Sequence, residues 1–229
     1  RAISRQPLLP YHPADMKRVI LAGGVGSRLH PLTRITNKHL LPIYDRPMVT
    51  YAIEAIVSAG VKEIMLVTGG THGGEFFRLL GDGHSHGIDL LQYAYQEQES
   101  GIADALGLAQ RFAGDDRVLV MLADNIFERS IRPVVENFER QERGGRIVLS
   151  REENPEHLRH LGVAELNADK VVRIVEKPER PPSEFAVTGL YFYDSAVFEF
   201  IPTLSPSARG ELEITDVNNW YIEQGALEY

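Results

Sequence analysis

Short apolar runs alternate with segments whose apolar residues recur every three or four positions along most of this chain. "KRVILAG" reads as a buried strand that closes on a glycine. "PMVTYAIEAIVSAG" carries helical spacing, with Met48, Ala52, Ala55 and Ile56 on one face and Gly60 as its stop. "KEIMLVTGG" reads as the next strand, and "GGEFFRLLGDG" as a short helix closed by a Gly-Asp-Gly turn. "IDLLQYAYQ" is a strand, "GIADALGLAQRFAG" a helix ending at Gly114, and "RVLVMLADN" a strand with an acidic end. "IRPVVENFERQERGG" is an amphipathic helix with proline near its start and glycines at its end, and "RIVLSR" is a strand. This alternation predicts an α/β fold with a largely parallel sheet.

After about residue 150 the texture changes. "GVAELNADKVVRIVEKP" reads as two strands joined by an Asn-Ala-Asp-Lys turn, and "SEFAVTGLYFYD" as a longer strand with alternating aromatics. "SAVFEFIPTL" and "LEITDVNNWYIEQG" read as helices. The second half is therefore expected as a sheet insertion packed on the first. No linker or repeat divides them, so residues 16–229 are expected as one domain with two subregions, about 16–150 and about 151–229. Residues 1–15 hold three prolines and no period, and are read as an extension outside the core, with Met16 as a natural start.

Composition narrows the class. The chain has 229 residues, enough for one large α/β domain, with 43% hydrophobic and 24% charged residues. A net charge of −8 argues against nucleic acid as a partner, which needs a basic footprint. There is no cysteine, so disulfides and cysteine zinc sites are excluded. No apolar run approaches the roughly 18 residues of a membrane span, and a cytoplasmic enzyme is expected.

The glycine-rich turn "LAGGVGSRL" follows the first strand, where phosphate-binding loops sit. A dinucleotide fingerprint needs a third glycine, and Leu29 stands there. A P-loop needs Gly-Lys-Ser/Thr, and Gly26 is followed by Ser27-Arg28. What remains is a turn whose backbone N–H groups could wrap a triphosphate, or a structural β–α turn. Lys38, ten residues past Arg28, adds an ammonium to the guanidinium, as a triphosphate clamp requires; alone it would read as a solvated loop lysine.

The run "LAGGVGSRLHPLTRITNKHLLPIYDRPM" resembles the signature of the sugar-phosphate nucleotidyltransferases, closest to the glucose-1-phosphate thymidylyltransferases. The likeness continues in order through "LLGDG", "YAYQEQESGIADAL", "LADN", "GVAEL", "VEKP", "FAVTGLYFYD" and "SARGELEITDVN", from about Met16 to the last residues. It implies a three-layer α/β sandwich with a Rossmann-like, mixed but mostly parallel central sheet. It also implies an activity: transfer of a nucleotidyl group from dTTP to glucose 1-phosphate, dependent on Mg²⁺, with pyrophosphate released. UTP-using relatives come next, and a non-catalytic binding relative or a dinucleotide oxidoreductase are the remaining alternatives.

The resemblance also carries site residues. Leu21, Gly23, Gly24, Gly26 and Ser27 belong to the triphosphate loop, and Arg28 and Lys38 to the α-phosphate and the departing pyrophosphate. Gln96 offers an amide donor and acceptor to the base, and Gly101 lets the backbone approach it. Asp124, at a strand's carboxyl end, is the Mg²⁺ ligand; the family's Gly before it is Ala123 here. Gly162, Glu176, Lys177, Val187, Thr188 and Arg209 form the sugar-phosphate side. Strand alternation would send Glu176 and Lys177 to opposite faces, so an irregularity is expected there. The family continues past "GALEY" into a segment with a second metal aspartate. The expectation is that Asp124, phosphates and water hold Mg²⁺ more weakly here and that this chain turns over slowly. A homo-oligomer is expected from the family. His84 and His86 read as a polar turn rather than a metal site, and Trp220, Tyr221 and "YFY" as packing.

Overall fold

β1 (Met16–Ala22) lies inside a nine-stranded mixed sheet, and its sequence explains the position. Val19 and Leu21 enter one apolar layer; Met16, Ile20 and Ala22 enter the other. Both faces are covered, so Val19, Ile20, Leu21 and Ala22 read as a continuous apolar run instead of an alternating one. The computed structural model describes residues 16–24, 26–60 and 62–229, and the expected N-terminal extension lies outside them.

A run of 3-10 turns leads from β1 to a small hairpin, β2 (Pro42–Ile43) and β3 (Arg46–Pro47), and to α1 (Met48–Ser58). Then follow β4 (Glu63–Gly69), α2 (Gly73–Leu80), β5 (Leu90–Gln96), α3 (Ile102–Gly107), α4 (Gln110–Ala113), β6 (Arg117–Leu122) and α5 (Arg132–Arg140). The second part runs β7 (Gly145–Arg151), α6 (Pro155–Leu158), β8 (Gly162–Asn167), β9 (Lys170–Glu176), β10 (Phe185–Tyr193), α7 (Ala196–Phe200), α8 (Ile214–Glu223) and β11 (Leu227–Glu228). The sheet order is β11-β7-β10-β6-β1-β4-β5, with the β8–β9 hairpin joined to β10. β6, β1, β4 and β5 are parallel neighbours. α1, α2 and α5 contribute to one apolar layer, and α3, α4, α7 and α8 to the other, which makes three layers.

Several expectations need correction. The second half is not a sheet packed on the first: β10 enters the central sheet antiparallel, between β6 and β7. Its Leu190 and Phe192 join one layer, its Tyr191 and Tyr193 the other. The helix expected over residues 101–114 is two helices, with α3 ending at Gly107, where a glycine favours interruption. The helix after Ser195 stops at Phe200 and tightens into a 3-10 turn containing Pro202, which lacks an N–H. α1 buries Val49, Ala52, Ile53 and Ile56, a stripe rotated from the expected one; Met48 and Ala55 are only half-buried.

The loop after β1 is held by a small polar knot. Asn37 donates from Nδ2 to the Ala22 carbonyl at 3.2 Å, fastening the loop to the end of β1. Its Oδ1 accepts from the His39 backbone N–H at 2.9 Å and faces His39 Nδ1 at 2.7 Å. An amide oxygen only accepts, so Nδ1 carries the proton. Asn37 is thus the cap of the turn Lys38–Leu40, in which His39 is buried. Burial, reinforced by the Lys38 ammonium and opposed by Asp124, pushes the His39 imidazole down to about 4.

This shift has a sign in folding. Between its ordinary 6.5 and about 4, the unfolded chain protonates His39 and the folded chain does not, so stability falls as pH falls through that window. The full effect is about 3 kcal/mol. Denaturant unfolding at about pH 7 and about pH 4.5 should show the loss, and His39→Gln should shrink it. An equal loss in both proteins would contradict the assignment.

Candidate active site

The carboxyl ends of β1 and β6 leave the sheet side by side, with Leu21 opposite Leu122. Ligands in open α/β sheets bind beyond such ends. Here they open on a cavity of about 450 Å³ whose wall is completed by the β8–β9 hairpin, β10 and the start of α8. Leu21, Gly23, Gly24, Arg28, Lys38, Gln96, Gly101, Asp124, Gly162, Glu176, Lys177, Val187 and Arg209 all line it.

At the end of the cavity beside β1 and β6, Lys38 Nζ donates to Asp124 Oδ2 at 2.6 Å. Burial alone would raise the Asp124 carboxyl, but the Lys38 charge and hydrogen bond outweigh it and hold it below the usual range. The other oxygen, Oδ1, accepts from Asn125 Nδ2 at 3.0 Å. Asn125 in turn accepts from the Gly189 backbone N–H at 2.8 Å, tying the end of β6 to β10. A Cβ on Gly189 would lie 2.5 Å from Asn125 Nδ2, so only glycine fits. Arg28 sits exposed at the cavity, with no ion pair among the described residues.

Two loop residues are not cavity residues. Gly26 lies behind Lys38: a Cβ there would come within 2.9 Å of Lys38 Cβ, and its φ of +60° also suits glycine. Its carbonyl accepts from Thr33 Oγ1 at 2.7 Å. Ser27 is exposed in the following 3-10 turn, outside the cavity wall.

Gln96 differs from expectation. Its Nε2 donates to Asp104 Oδ2 at 2.8 Å and to the Gly101 carbonyl at 3.2 Å, so both amide hydrogens are taken and only the oxygen is left to accept. Gly101 is glycine because of another neighbour: a Cβ would fall 2.4 Å from the Leu212 carbonyl oxygen, and its φ is +104°.

At the other end, the expected irregularity is found. Lys177 has φ +45°, a left-handed conformation that breaks the alternation of β9 and brings its side chain to the same cavity as Glu176. Its backbone N–H donates to the Leu161 carbonyl at 3.0 Å, and its Nζ lies 3.8 Å from Glu176 Oε1. Glu176 Oε2 accepts from Thr215 Oγ1 at 2.7 Å and faces Gly162, where a Cβ would lie 3.4 Å away. Arg209 is already paired: Nη2 donates to both Glu213 oxygens at 2.8 and 2.7 Å and reaches Glu176 at 3.4 Å.

Thr188 is not brought to the cavity. Its Oγ1 donates to the Val148 carbonyl at 2.9 Å, across the β7 side of β10, while Val187 and Gly189 line the wall. The register of β10 against β7 shifts between Val187 and Tyr191, which alters the simple inward–outward count. Sequence reasoning missed Asn125, His39, Asp104, Glu213 and Thr215. The last two stood inside the quoted "RGELEITD" run, where only the cation was singled out. Tyr191 also lines the cavity, and burial, with Glu176 and Asp124, pushes its phenol well above the ordinary value, so it stays neutral.

Among the described residues, no group of three or more His, Cys, Asp or Glu is arranged to hold a metal ion. No helix there is long and apolar enough to cross a membrane.

The glucose-1-phosphate thymidylyltransferase of Neisseria meningitidis is 44% identical over 214 residues, covering 93% of this chain and 73% of the relative. That of Actinoplanes sp. is 42% identical, covering 93% and 69%. A Bacillus anthracis crystal structure, of a protein assigned as a glucose-1-phosphate thymidylyltransferase in complex with a sucrose, superposes with a TM-score of 0.88 at 48% identity, covering 93% of this chain and 85% of that one. UDP-glucose pyrophosphorylase bound to UDP-glucose shares the fold, with a TM-score of 0.77 at 24% identity over 91% and 87% of the two chains. The protein-family description that matches, nucleotidyl transferase, extends from residue 17 to 229, from the second residue of β1 through β11, and the chain belongs to the nucleotidyl transferases.

Proposed function

We propose that this chain transfers a thymidylyl group from dTTP to glucose 1-phosphate, giving dTDP-glucose and pyrophosphate. The observation that carries the reading is the placement of cations at both ends of one cavity, Arg28 and Lys38 at one and Lys177 and Arg209 at the other. A reaction between two phosphate-bearing substrates needs charge neutralised on both. The names of the relatives supply the sugar and the base.

In this reading a phosphate oxygen of the sugar 1-phosphate attacks the α-phosphorus of the triphosphate. The new P–O bond forms as the bond to the β-phosphate oxygen breaks, and pyrophosphate leaves. The nucleophile is already an anion, so no general base is required. The protein contributes position and electrostatics. Arg28 grips triphosphate oxygens with a planar fork. Lys38 exchanges its carboxylate partner for phosphate oxygens, and Lys177 holds the incoming sugar phosphate. Arg209 adds positive charge to that end, moderated by Glu213. Glu176 keeps lone pairs free for sugar hydroxyls after accepting from Thr215 and Arg209.

Asp124 is the residue that would hold a divalent cation, Mg²⁺ in our reading. One ionised carboxylate beside a triphosphate suits that ion, which takes one or two carboxylates and fills its shell with phosphate and water oxygens. When bound, it would neutralise charge on the phosphates. The cytoplasm, where nucleoside triphosphates are made, is the place this reading assigns to the reaction.

Pyrophosphate release with dTTP, glucose 1-phosphate and Mg²⁺ tests the reading, run against a panel of four nucleotides and several sugar phosphates. Lys38→Ala should lower kcat by roughly 10²–10³-fold, as for loss of one transition-state donor. Arg28→Lys should lower kcat/KM by at least about tenfold, because a point charge cannot reproduce the bidentate grip. Unchanged turnover in both variants would sink the assignment of the triphosphate to this end.

A further inference from the structure

In that reading the base end of the cavity holds a hydrogen-bond arrangement centred on Gln96. Gln96 ends β5 and is 7% exposed. Two acceptors, the Asp104 carboxylate and the Gly101 carbonyl, face its amide from one side. A flipped amide would set its oxygen against both, so the pair dictates the orientation. The oxygen Oε1 therefore turns toward Gly23, where a Cβ would lie 3.3 Å from it. Asp104 stands in the first turn of α3. The entry to that helix is pinned by the Ala103 N–H donating to the Leu212 carbonyl at 3.2 Å and by the tight approach of Gly101 to Leu212. The carboxylate is thus held in place by backbone contacts, independently of any ligand.

We propose that Asp104 is a positioning residue that sets base selectivity, by holding the Gln96 amide so that a lone acceptor faces the base. Such a site takes a pyrimidine that offers a ring N3–H, as thymine and uracil do. It rejects cytosine, whose N3 is itself an acceptor. Opposed acceptors in a nearly buried pocket leave both groups unpaired, and that is where hydrogen-bonded sites discriminate most strongly. The arrangement is blind to the thymine methyl. The proposal rests on the nucleotidyl-transfer reading above and adds the group that orients its base contact.

The test compares the wild-type chain with Asp104→Ala and Asp104→Asn, using dTTP, UTP and CTP. Nucleotide Kd is measured by calorimetry, and KM and kcat with glucose 1-phosphate. Wild type should favour dTTP and UTP over CTP by about a hundredfold. In Asp104→Ala the KM for dTTP should rise about tenfold with kcat changed less than about threefold, and the preference over CTP should fall at least about tenfold. Asp104→Asn keeps a carbonyl oxygen toward Gln96 and should retain most of the preference. An unchanged preference over CTP in Asp104→Ala, or an equal loss for all three nucleotides, overturns the proposal. Absence of wild-type turnover with dTTP would overturn the transfer reading instead, and the ratios of nucleotide Kd would still decide the role of Asp104.

Discussion

The ion pair between Lys38 and Asp124 joins residues 86 positions apart and organises the end of the cavity beside β1 and β6. It depends on β1 and β6 being parallel neighbours, since only then do the segments beyond their carboxyl ends meet. Its surroundings fit around it. Gly26 lacks a side chain where the Lys38 stem passes. His39 stays neutral, which avoids a second cation in the same turn. Asn125 occupies the other Asp124 oxygen and carries the connection onward to Gly189 on β10. Both partners are partly exposed, and the attraction is screened accordingly. Its consequence is geometric: a cation and a carboxylate are held where a triphosphate would need them.

The opposite end of the cavity, which the proposed reading gives to the sugar phosphate, follows the same logic with different parts. Arg209 rests on Glu213, and Lys177 stands near Glu176. These cations are held in position by carboxylates before any phosphate arrives, and a phosphate oxygen would replace a carboxylate oxygen as partner. A chain with a net charge of −8 can thereby bind anions in one cavity while its overall field remains negative. The antiparallel entry of β10 between β6 and β7 makes this geometry available. It puts Val187 and Gly189 on the cavity wall, and through Asn125 it links the two ends.

Much of this was legible in the sequence because the signals are local. A strand-length apolar run before glycines, Lys38 ten residues past Arg28, and Asp124 at a strand's end each show within a short window. The irregularity at Lys177 could also be anticipated, since two neighbouring strand residues cannot both face one side without it. Much of what escaped depended on long-range contacts or on register, although Glu213 pairs with Arg209 only four residues away. Thr188 faces β7 because β10 shifts register near Gly189, and no local pattern marks such a shift. Asp104 acts on Gln96 across a helix entry whose placement is set by Leu212, more than a hundred residues later. The insertion of β10 into the central sheet is a matter of topology, which alternation of apolar residues does not encode.

In the proposed reaction the sugar phosphate attacks the α-phosphorus inside this cavity. The most direct measurement is the fate of ¹⁸O from glucose 1-phosphate labelled throughout its phosphate, incubated with the chain, dTTP and Mg²⁺ and followed by mass spectrometry. The dTDP-glucose formed should carry all of the label and the pyrophosphate none. Label in pyrophosphate, or no sugar nucleotide formed, would contradict the proposed reaction.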